Sequence, residues 1–216
     1  MTGPPGAGPA AEVPDLGRHP RVAVIVAHPD DETLWAGGLL LSHPEWSPFI
    51  LTLCRGGDPD RAPRFRRVLE RLQATGAMAD LDDGPDQAVL PSAAVQAAIL
   101  ALLPGRAFDL VLTHGREGEY TRHRRHEECA LAVVALCRDR QLQVTRLLHF
   151  AYEDGGAAYL PRPRRDADLL VPVAPAIWAG KYAIITGLYG FARSSWEART
   201  TPRIEAFCGS KAPPPA

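Results

Sequence analysis

The sequence predicts a single α/β domain built on a Rossmann-like, doubly wound and mostly parallel sheet. The chain has 216 residues, 46% of them hydrophobic, which suits one domain with a sizeable core. Apolar, β-branched runs alternate with segments of helical spacing, the order that is typical of parallel sheets. The first run, VAVIVA at 22–27, is apolar throughout, as expected of a central strand covered on both faces.

The other elements are predicted from the same two periodicities. Phe65, Val68, Leu69 and Leu72 recur at helical spacing, and the segment that begins at His123 is strongly amphipathic. Further strands are predicted at 48–54, 108–114 and 144–153. Helices are predicted at 32–42, 62–77, 92–103 and 123–140. In the last third, a helix is predicted at 175–191 and an edge strand at 200–208.

The two ends of the chain are predicted to be flexible tails. Residues 1–20 are rich in Gly, Pro and Ala without periodicity, and residues 209–216 have a similar character, so the folded domain is predicted at 21–208. The N-terminal segment lacks the apolar core of a signal peptide, and no apolar run approaches membrane-spanning length. We therefore expect a cytoplasmic protein that does not insert into membranes.

Charge and cysteine usage narrow the function class. A formal net charge of -1 argues against a bulk electrostatic partner such as nucleic acid or an anionic membrane surface. The four cysteines form no CxxC pair and are predicted to be reduced, buried thiols. The oligomeric state cannot be predicted from these features.

The first motif, His28-Pro29-Asp30-Asp31-Glu32, follows directly after the first strand. Its acids lie around the start of the next helix, where free N–H groups and the helix dipole favour carboxylates. Helix capping explains one or two of these acids, but not a histidine together with three acids. Histidine and aspartate are ligands for divalent metals, and a third ligand is then expected from elsewhere in the chain.

The second motif supplies candidates for that ligand. His123 and His126 are three residues apart at the start of a predicted helix, so they share a face, and His126 lies in line with the apolar, inward positions. The preceding loop contains Gly115, Gly118, Glu119 and Tyr120, and loops of this kind often carry catalytic groups. His114, at the end of the strand at 108–114, is expected to support the site without binding metal.

Together the two motifs resemble the PIG-L/LmbE-like family of zinc-dependent N-deacetylases, which includes GlcNAc-PI de-N-acetylase-like enzymes. The resemblance rests on AHPDDE after the first strand and GEY…HxxH after a later one, and it spans 21–208. It implies that His28, Asp31 and His126 bind Zn²⁺, with Fe²⁺ or another divalent metal as an alternative, and leave one position open for water. It also implies that Asp30 is the general base.

The resemblance further implies the roles of the remaining site residues. A protonated His123 would polarise the substrate carbonyl, Tyr120 would assist at the oxyanion, and Arg67 and Arg55 would contact the substrate. The implied reaction is hydrolysis of an N-acetyl group from an amino sugar or an N-acetylglucosaminyl conjugate. This sequence departs from the family pattern in having two residues between Tyr120 and His123, and in having Arg124-Arg125 where Pro-Asp is usual, which is expected to make the rim more basic.

Two other functions fit part of the pattern. The first is a non-catalytic protein of the same fold that binds a glycan or metabolite, although such proteins usually lose the base or a metal ligand, and all of these residues are present here. The second is an iron(II) oxygenase, because two histidines and one carboxylate also form its metal site. The predicted α/β order argues against the oxygenase by analogy of fold.

Overall fold

A seven-stranded sheet forms the middle layer of the molecule. The computed structural model describes residues 13, 15–17 and 19–210. The strands are β1 (Val22–Val26), β2 (Phe49–Cys54), β3 (Thr75–Leu81), β4 (Ala107–Thr113), β5 (Gln143–Phe150), β6 (Tyr152–Glu153), β7 (Arg162–Pro163), β8 (Leu169–Pro172) and β9 (Ile204–Ser210). The α-helices are α1 (Asp31–Ser42), α2 (Arg61–Arg71), α3 (Ser92–Leu102), α4 (Arg124–Arg138), α5 (Pro175–Ala183) and α6 (Trp196–Thr200). A 3₁₀ turn at Pro44–Trp46 and a π-helix at Ile184–Leu188 complete the described elements.

The sheet has the order β3-β2-β1-β4-β5-β9-β8, and β6 pairs separately with β7. The first five strands pair in parallel, whereas β9 is antiparallel to both β5 and β8. The chain leaves β1 toward β2 and β3, then returns to place β4 on the other side of β1. The strand order therefore reverses between β1 and β4, which is where ligands bind in such sheets. The predicted fold class, a single α/β domain with a doubly wound and mostly parallel sheet, is confirmed.

The two faces of the sheet bury two separate hydrophobic cores. In β1, Val22, Val24 and Val26 face the core that also contains residues of α1 and α2. Ala23 and Ile25 face the opposite core, which includes residues of α3 and α4. All five β1 residues are buried, as expected of a central strand between two helical layers.

The predicted helix at 62–77 is too long, because its last residues belong to β3. Helix α2 ends six residues earlier, and Gln73 adopts a left-handed conformation with φ 52°. The N–H of Ala74 then donates to Leu69 O at 2.9 Å, which closes a Schellman-type turn. Glycine usually occupies the left-handed position of this turn, so a glutamine there gave no sequence signal for the helix end.

The prediction that 200–208 is an edge strand is also wrong. The strand β9 lies between β5 and β8, and β8, which was not predicted, forms the edge. A charged residue such as Glu205 is typical of an edge strand. Here Glu205 is fully buried instead, where it pairs with Lys181 Nζ at 2.6 Å and accepts the N–H groups of Gly38 and Leu39.

The predicted tails fall mainly outside the described residues. At the C-terminal end, β9 runs to Ser210, two residues into the predicted tail, and 211–216 lie outside the described part. At the other end, Val13 and Leu16 are half-buried against the core formed with α1 and α2. Among the described residues, no helix is both long and apolar enough to cross a bilayer.

The four cysteines are unpaired, in agreement with the prediction of reduced thiols. Cys54 and Cys129 are buried, whereas Cys137 and Cys208 are only half-buried.

Candidate metal centre

The candidate site lies at the carboxyl ends of β1 and β4, where the strand order reverses. The first motif connects β1 to α1, with Asp30 as the residue before the helix and Asp31 as its first residue. His114 follows β4 directly, and His126 lies in the first turn of α4. Two motifs that are nearly 100 residues apart in the sequence therefore meet in one crevice, as the predicted architecture requires.

The imidazoles of His28, His114 and His126 surround the carboxylate of Asp31. Its Oδ2 accepts the backbone N–H of His28 at 2.9 Å and lies 3.2 Å from His28 Nδ1. The same oxygen is 3.4 Å from the Nε2 atoms of both His114 and His126. Its Oδ1 accepts from Trp35 Nε1 at 3.3 Å. Burial alone would raise the pKa of Asp31, but the imidazoles of His126 and His114 outweigh it and hold the pKa well below its usual value. Asp31 is therefore a carboxylate.

This cluster has the spacing that a divalent metal needs. Donor atoms that are about 2.0–2.2 Å from a tetrahedral zinc ion lie about 3.4 Å from one another. The separations around Asp31 Oδ2 match this value. In addition, the buried His28 Nε2, His123 Nδ1 and His126 Nε2 have no hydrogen-bond partner among the described residues. Unpartnered buried nitrogens are costly, so they indicate a missing polar ligand. The donor set fits a divalent cation.

Three overlapping sets of side chains among the described residues could hold the ion, and within each set the donor atoms lie within 4.8 Å of one another. The sets are His28 with His123 and His126, His28 with Cys54 and Asp83, and Asp31 with His114 and His126. The three residues predicted as ligands do not form one of these sets, but Asp31 Oδ2 lies 3.2 Å from His28 Nδ1 and 3.4 Å from His126 Nε2.

Glu119 is the site residue that sequence reasoning missed. Its fully buried Oε2 accepts from His126 Nδ1 at 2.6 Å and from His114 Nδ1 at 2.9 Å, and Oε1 accepts the N–H of Gly115 at 2.7 Å. Against the effect of burial, the two imidazoles lower the pKa of Glu119 to about 2. A carboxylate on Nδ1 fixes the tautomer that leaves the Nε2 lone pair of His126 free for a metal. The only sequence signal was its place in the loop before the second motif.

His114 is held in a supporting position. The N–H of Ala27 donates to its Nε2 at 2.9 Å, so this nitrogen carries a lone pair that is already used, and the ring proton lies on Nδ1 toward Glu119. Burial alone would lower the pKa of His114, but the carboxylates of Glu119 and Asp31 outweigh it and raise the pKa above its usual value. That His114 supports the site without binding metal stays a prediction, because His114 also belongs to one of the candidate ligand sets.

The side chain of Asp30 lies against Arg61, and its backbone is strained. Its φ of 132° and ψ of -30° are unusual for a residue other than glycine, and such a conformation costs on the order of 1–3 kcal/mol. The carboxylate does not cap α1; instead, Oδ2 lies 3.4 Å from Arg61 Nη1. Burial and the neighbouring Asp31 raise the pKa of Asp30, and Arg61 and His28 partly oppose this. The simple capping interpretation therefore fails for Asp30.

His123 and Tyr120 lie on the open side of the cluster. The ring centroid of His123 is 4.6 Å from that of His28 and 4.5 Å from that of His126. Burial and these two imidazoles lower the pKa of His123 to about 3, so a neutral ring replaces the protonated one expected from the sequence. The Tyr120 ring lies edge-on to His126 at 5.3 Å, and burial and nearby acids raise the pKa of its phenol, which keeps its proton.

The two predicted substrate arginines have different surroundings. Arg55 donates to Asp83 Oδ2 at 3.0 Å, and Asp83 Oδ1 lies 3.2 Å from His28 Nε2, outside hydrogen-bond geometry, so Arg55 is at the rim of the site. Arg67 is exposed on α2 and has no contact with the site residues within the described part of the chain. Arg61, the first residue of the same helix, is the arginine whose guanidinium lies against the Asp30 carboxyl group.

Arg125 does not make the rim basic, contrary to expectation. Its side chain is only 2% exposed. The guanidinium pairs with Glu128 and donates to the carbonyl oxygens of Asp82 and Ala88. Arg125 therefore ties the loop between β3 and α3, which carries Asp83, to α4.

The fold is shared with solved structures of several activities. N,N'-diacetylchitobiose deacetylase from Pyrococcus horikoshii aligns with a TM-score of 0.66 at 12% identity, covering 89% of this chain and 84% of that one. The zinc-inhibited form of teicoplanin deacetylase Orf2 aligns with a TM-score of 0.59 at 15% identity, covering 88% and 97%. A 4-carboxy-2-hydroxymuconate hydratase from Pseudomonas putida KT2440 aligns with a TM-score of 0.57 at 15% identity, covering 91% and 98%.

The similarity is visible only in three dimensions. The sequence matches no protein-family model, and no curated protein matches it. At these low identities the alignments show a common fold, while the reaction has to be inferred from the site.

Proposed function

We propose that this protein is a metal-dependent hydrolase that removes an N-acetyl or other N-acyl group from an amino sugar or an N-acetylglucosaminyl conjugate. The observation that carries the proposal is the pairing of two adjacent carboxyl groups in opposite environments. Asp31 is ionised among imidazoles with unpartnered nitrogens, and Asp30 beside it has a raised pKa. Two carboxyl groups whose pKa values are driven apart are typical of a division between ligand and acid–base roles.

In this proposal His28, Asp31 and His126 hold the metal. Two imidazoles and one carboxylate suit catalytic zinc, and Fe²⁺ is an alternative occupant of the same donor set. A bound divalent cation supplies a Lewis acid for the amide carbonyl and lowers the pKa of water. The zinc-inhibited form of the teicoplanin deacetylase supports a site for a divalent metal, and the deacetylase activity named for two of the structural neighbours supports the hydrolytic reaction.

The chain's own groups supply the proton transfers. Asp30 takes a proton from the attacking water and returns it to the leaving amine. A raised pKa suits this role, because a general base is most effective when its pKa lies near the working pH. A neutral His123 and a protonated Tyr120 each donate one hydrogen bond to the oxygen that becomes negatively charged, a contribution of about 3–4 kcal/mol per donor in comparable sites. The products are a free amine and acetate.

Arg55 is proposed to contact the substrate at the rim. It lies against Asp83, whose side chain reaches His28, so it is close enough to the cluster to meet the part of the substrate beyond the acyl group. Arg67 remains a weaker candidate, because it is exposed and makes no contact with the site among the described residues.

A hydratase is the second candidate, because one structural neighbour that this chain covers almost completely is a hydratase. Both reactions add water at a carbon, but only amide hydrolysis releases an amine and a carboxylic acid. Identification of the products therefore separates them.

The test combines metal content with product analysis. Wild type and Asp30→Ala are purified, their bound metal is quantified, and amine and acetate release are followed across N-acetylglucosamine conjugates. We expect metal in both proteins and release by the wild type alone. A wild type that binds no divalent metal would refute the proposal. Metal without release from any conjugate would favour the hydratase or a non-catalytic binding protein.

A further inference from the structure

We infer that the segment Tyr189–Phe191, which follows the π-helix, is a positioning element that holds Asp30 through Glu32 and Arg61. The inference rests on the proposed function, in which Asp30 is the base. It gives a role to the last third of the chain, which contributes no predicted ligand or catalytic group.

The first connection runs to the backbone of Asp30. Its N–H donates to Glu32 Oε2 at 3.0 Å, which ties down the strained peptide. The second carboxylate oxygen of Glu32 accepts from Thr33 Oγ1 at 2.6 Å and from the Tyr189 hydroxyl at 2.7 Å. Glu32 is fully buried, so its orientation depends on these few hydrogen bonds. Tyr189 therefore orients the carboxylate of Glu32, and that carboxylate in turn holds the backbone N–H of Asp30, the proposed base.

The second connection runs to the side chain of Asp30. The guanidinium of Arg61, which lies 3.4 Å from Asp30 Oδ2, also lies over the Phe191 ring at 4.6 Å from its centroid. The Phe191 ring therefore stabilises the same guanidinium that pairs with Asp30. The backbone and the carboxylate of Asp30 therefore have their supports in the same three-residue segment.

The segment itself is tied to α2. Arg64 Nη1 donates to Tyr189 O at 2.8 Å, so the helix that presents Arg61 is bonded to the residue that orients Glu32. Gly190 has φ 78°, and a Cβ there would lie 2.1 Å from Arg64 Nη1, so no other residue fits without a shift. The conformation of the segment at Gly190 therefore leaves the space that the Arg64 guanidinium needs to bond to Tyr189 O.

A positioning role differs from a purely structural role because its loss should leave metal binding intact. Neither Glu32 nor Tyr189 bonds to His28, Asp31 or His126 through its side chain among the described contacts, so metal binding should not depend on them. Loss of the Tyr189 hydroxyl should instead loosen the peptide of Asp30 and misplace the base.

The test is Tyr189→Phe, which removes only the hydroxyl. Amide hydrogen exchange of Asp30 is measured by NMR, together with metal affinity, kcat and KM. We expect about tenfold faster exchange at Asp30 and a kcat about tenfold lower, from the loss of one buried hydrogen bond. Metal affinity and KM should stay within twofold of wild type. Tyr182→Phe is the matched control, because Tyr182 stacks on Trp178 in α5 and takes no part in the Glu32 network.

A second pair of variants guards against misfolding. Glu32→Gln keeps an oxygen that can accept the Asp30 N–H, so it should retain more slow exchange and more activity than Glu32→Ala. Exchange at Asp30 that is the same in Tyr189→Phe and Tyr182→Phe would overturn the inference. If the wild type releases no amine from any conjugate, the proposed function fails, and the exchange measurement still decides whether this segment holds Asp30.

Discussion

Asp30 and Asp31 are neighbours in the chain, yet they belong to different halves of the site. Asp31 faces imidazoles supplied by the ends of β1 and β4 and the start of α4, and they lower its pKa. Asp30 faces Arg61 from α2, its backbone is held by Glu32, and its pKa is raised. A single peptide unit with an unusual φ thus directs two carboxyl groups into opposite surroundings.

This difference shows how one short motif can hold two roles. Identical side chains acquire different proton affinities because their neighbours differ, so ligand and base need not be different residue types. The half that contains Asp31, which we call the ligand half, depends on Glu119. The half that contains Asp30, which we call the base half, depends on the segment Tyr189–Phe191. Disturbing either half should therefore change a different measurable property.

The largest effect should come from the centre of the ligand half. Asp31→Asn removes the charge that five nitrogen atoms face, so metal affinity should fall by more than about 100-fold, the upper end of the loss seen for outer partners alone. Competition with a chromophoric chelator measures this affinity. Asp109→Asn, which alters a half-exposed carboxylate paired with Arg21, should leave it unchanged. Equal affinities in both variants would remove Asp31 from the metal site.

The next largest effect should be a loss of folding stability when acid protonates Glu119 in the ligand half. Because the pKa of Glu119 is lowered from 4.5 to about 2 in the folded protein, its charge stabilises the fold fully above pH ~4.5. That stabilisation, on the order of 3 kcal/mol, is lost as pH falls toward about 2. Denaturant unfolding of the metal-free wild type and Glu119→Gln should therefore give free energies that converge with falling pH. A constant difference between them would contradict the assignment.

Glu119→Gln should also weaken metal binding, but less than loss of a ligand. Its carboxylate fixes the tautomer of His126, and removal of such an outer partner typically costs about 10–100-fold in affinity. Isothermal titration with zinc measures the change. Glu117→Gln, an exposed glutamate in the same loop, is the matched control and should bind like wild type.

The smallest effect should come from the base half. Arg61 lowers the pKa of Asp30, so Arg61→Gln should raise it and move the acid limb of the kcat profile to higher pH. Arg66→Gln, an exposed arginine on the same helix, should leave the profile in place. A shift to lower pH would mean that Asp30 does not set the limb.

The sequence was informative where neighbours in the chain are neighbours in space. The apolar run of β1, the acids at the start of α1 and the shared face of His123 and His126 all follow from local periodicity, and the structure brings them together. It was uninformative where local signals were absent. Gln73 replaces the usual glycine at the end of α2, and the partner that allows Glu205 to be buried inside the sheet, Lys181, is 24 residues away in the chain.

Short segments of the sequence were enough to predict the α/β class and to place two polar motifs after strands, because strand and helix periodicity are local. The choice of His28, Asp31 and His126 as ligands came from the resemblance to a known family. Only the tertiary structure decided what surrounds those groups. Glu119 bridges two histidines, Arg125 is buried under a loop, and Tyr189 reaches Glu32 across 157 positions. No local pattern encodes such contacts, because each forms only after several elements have packed, and the same packing sets the pKa of every group in the site.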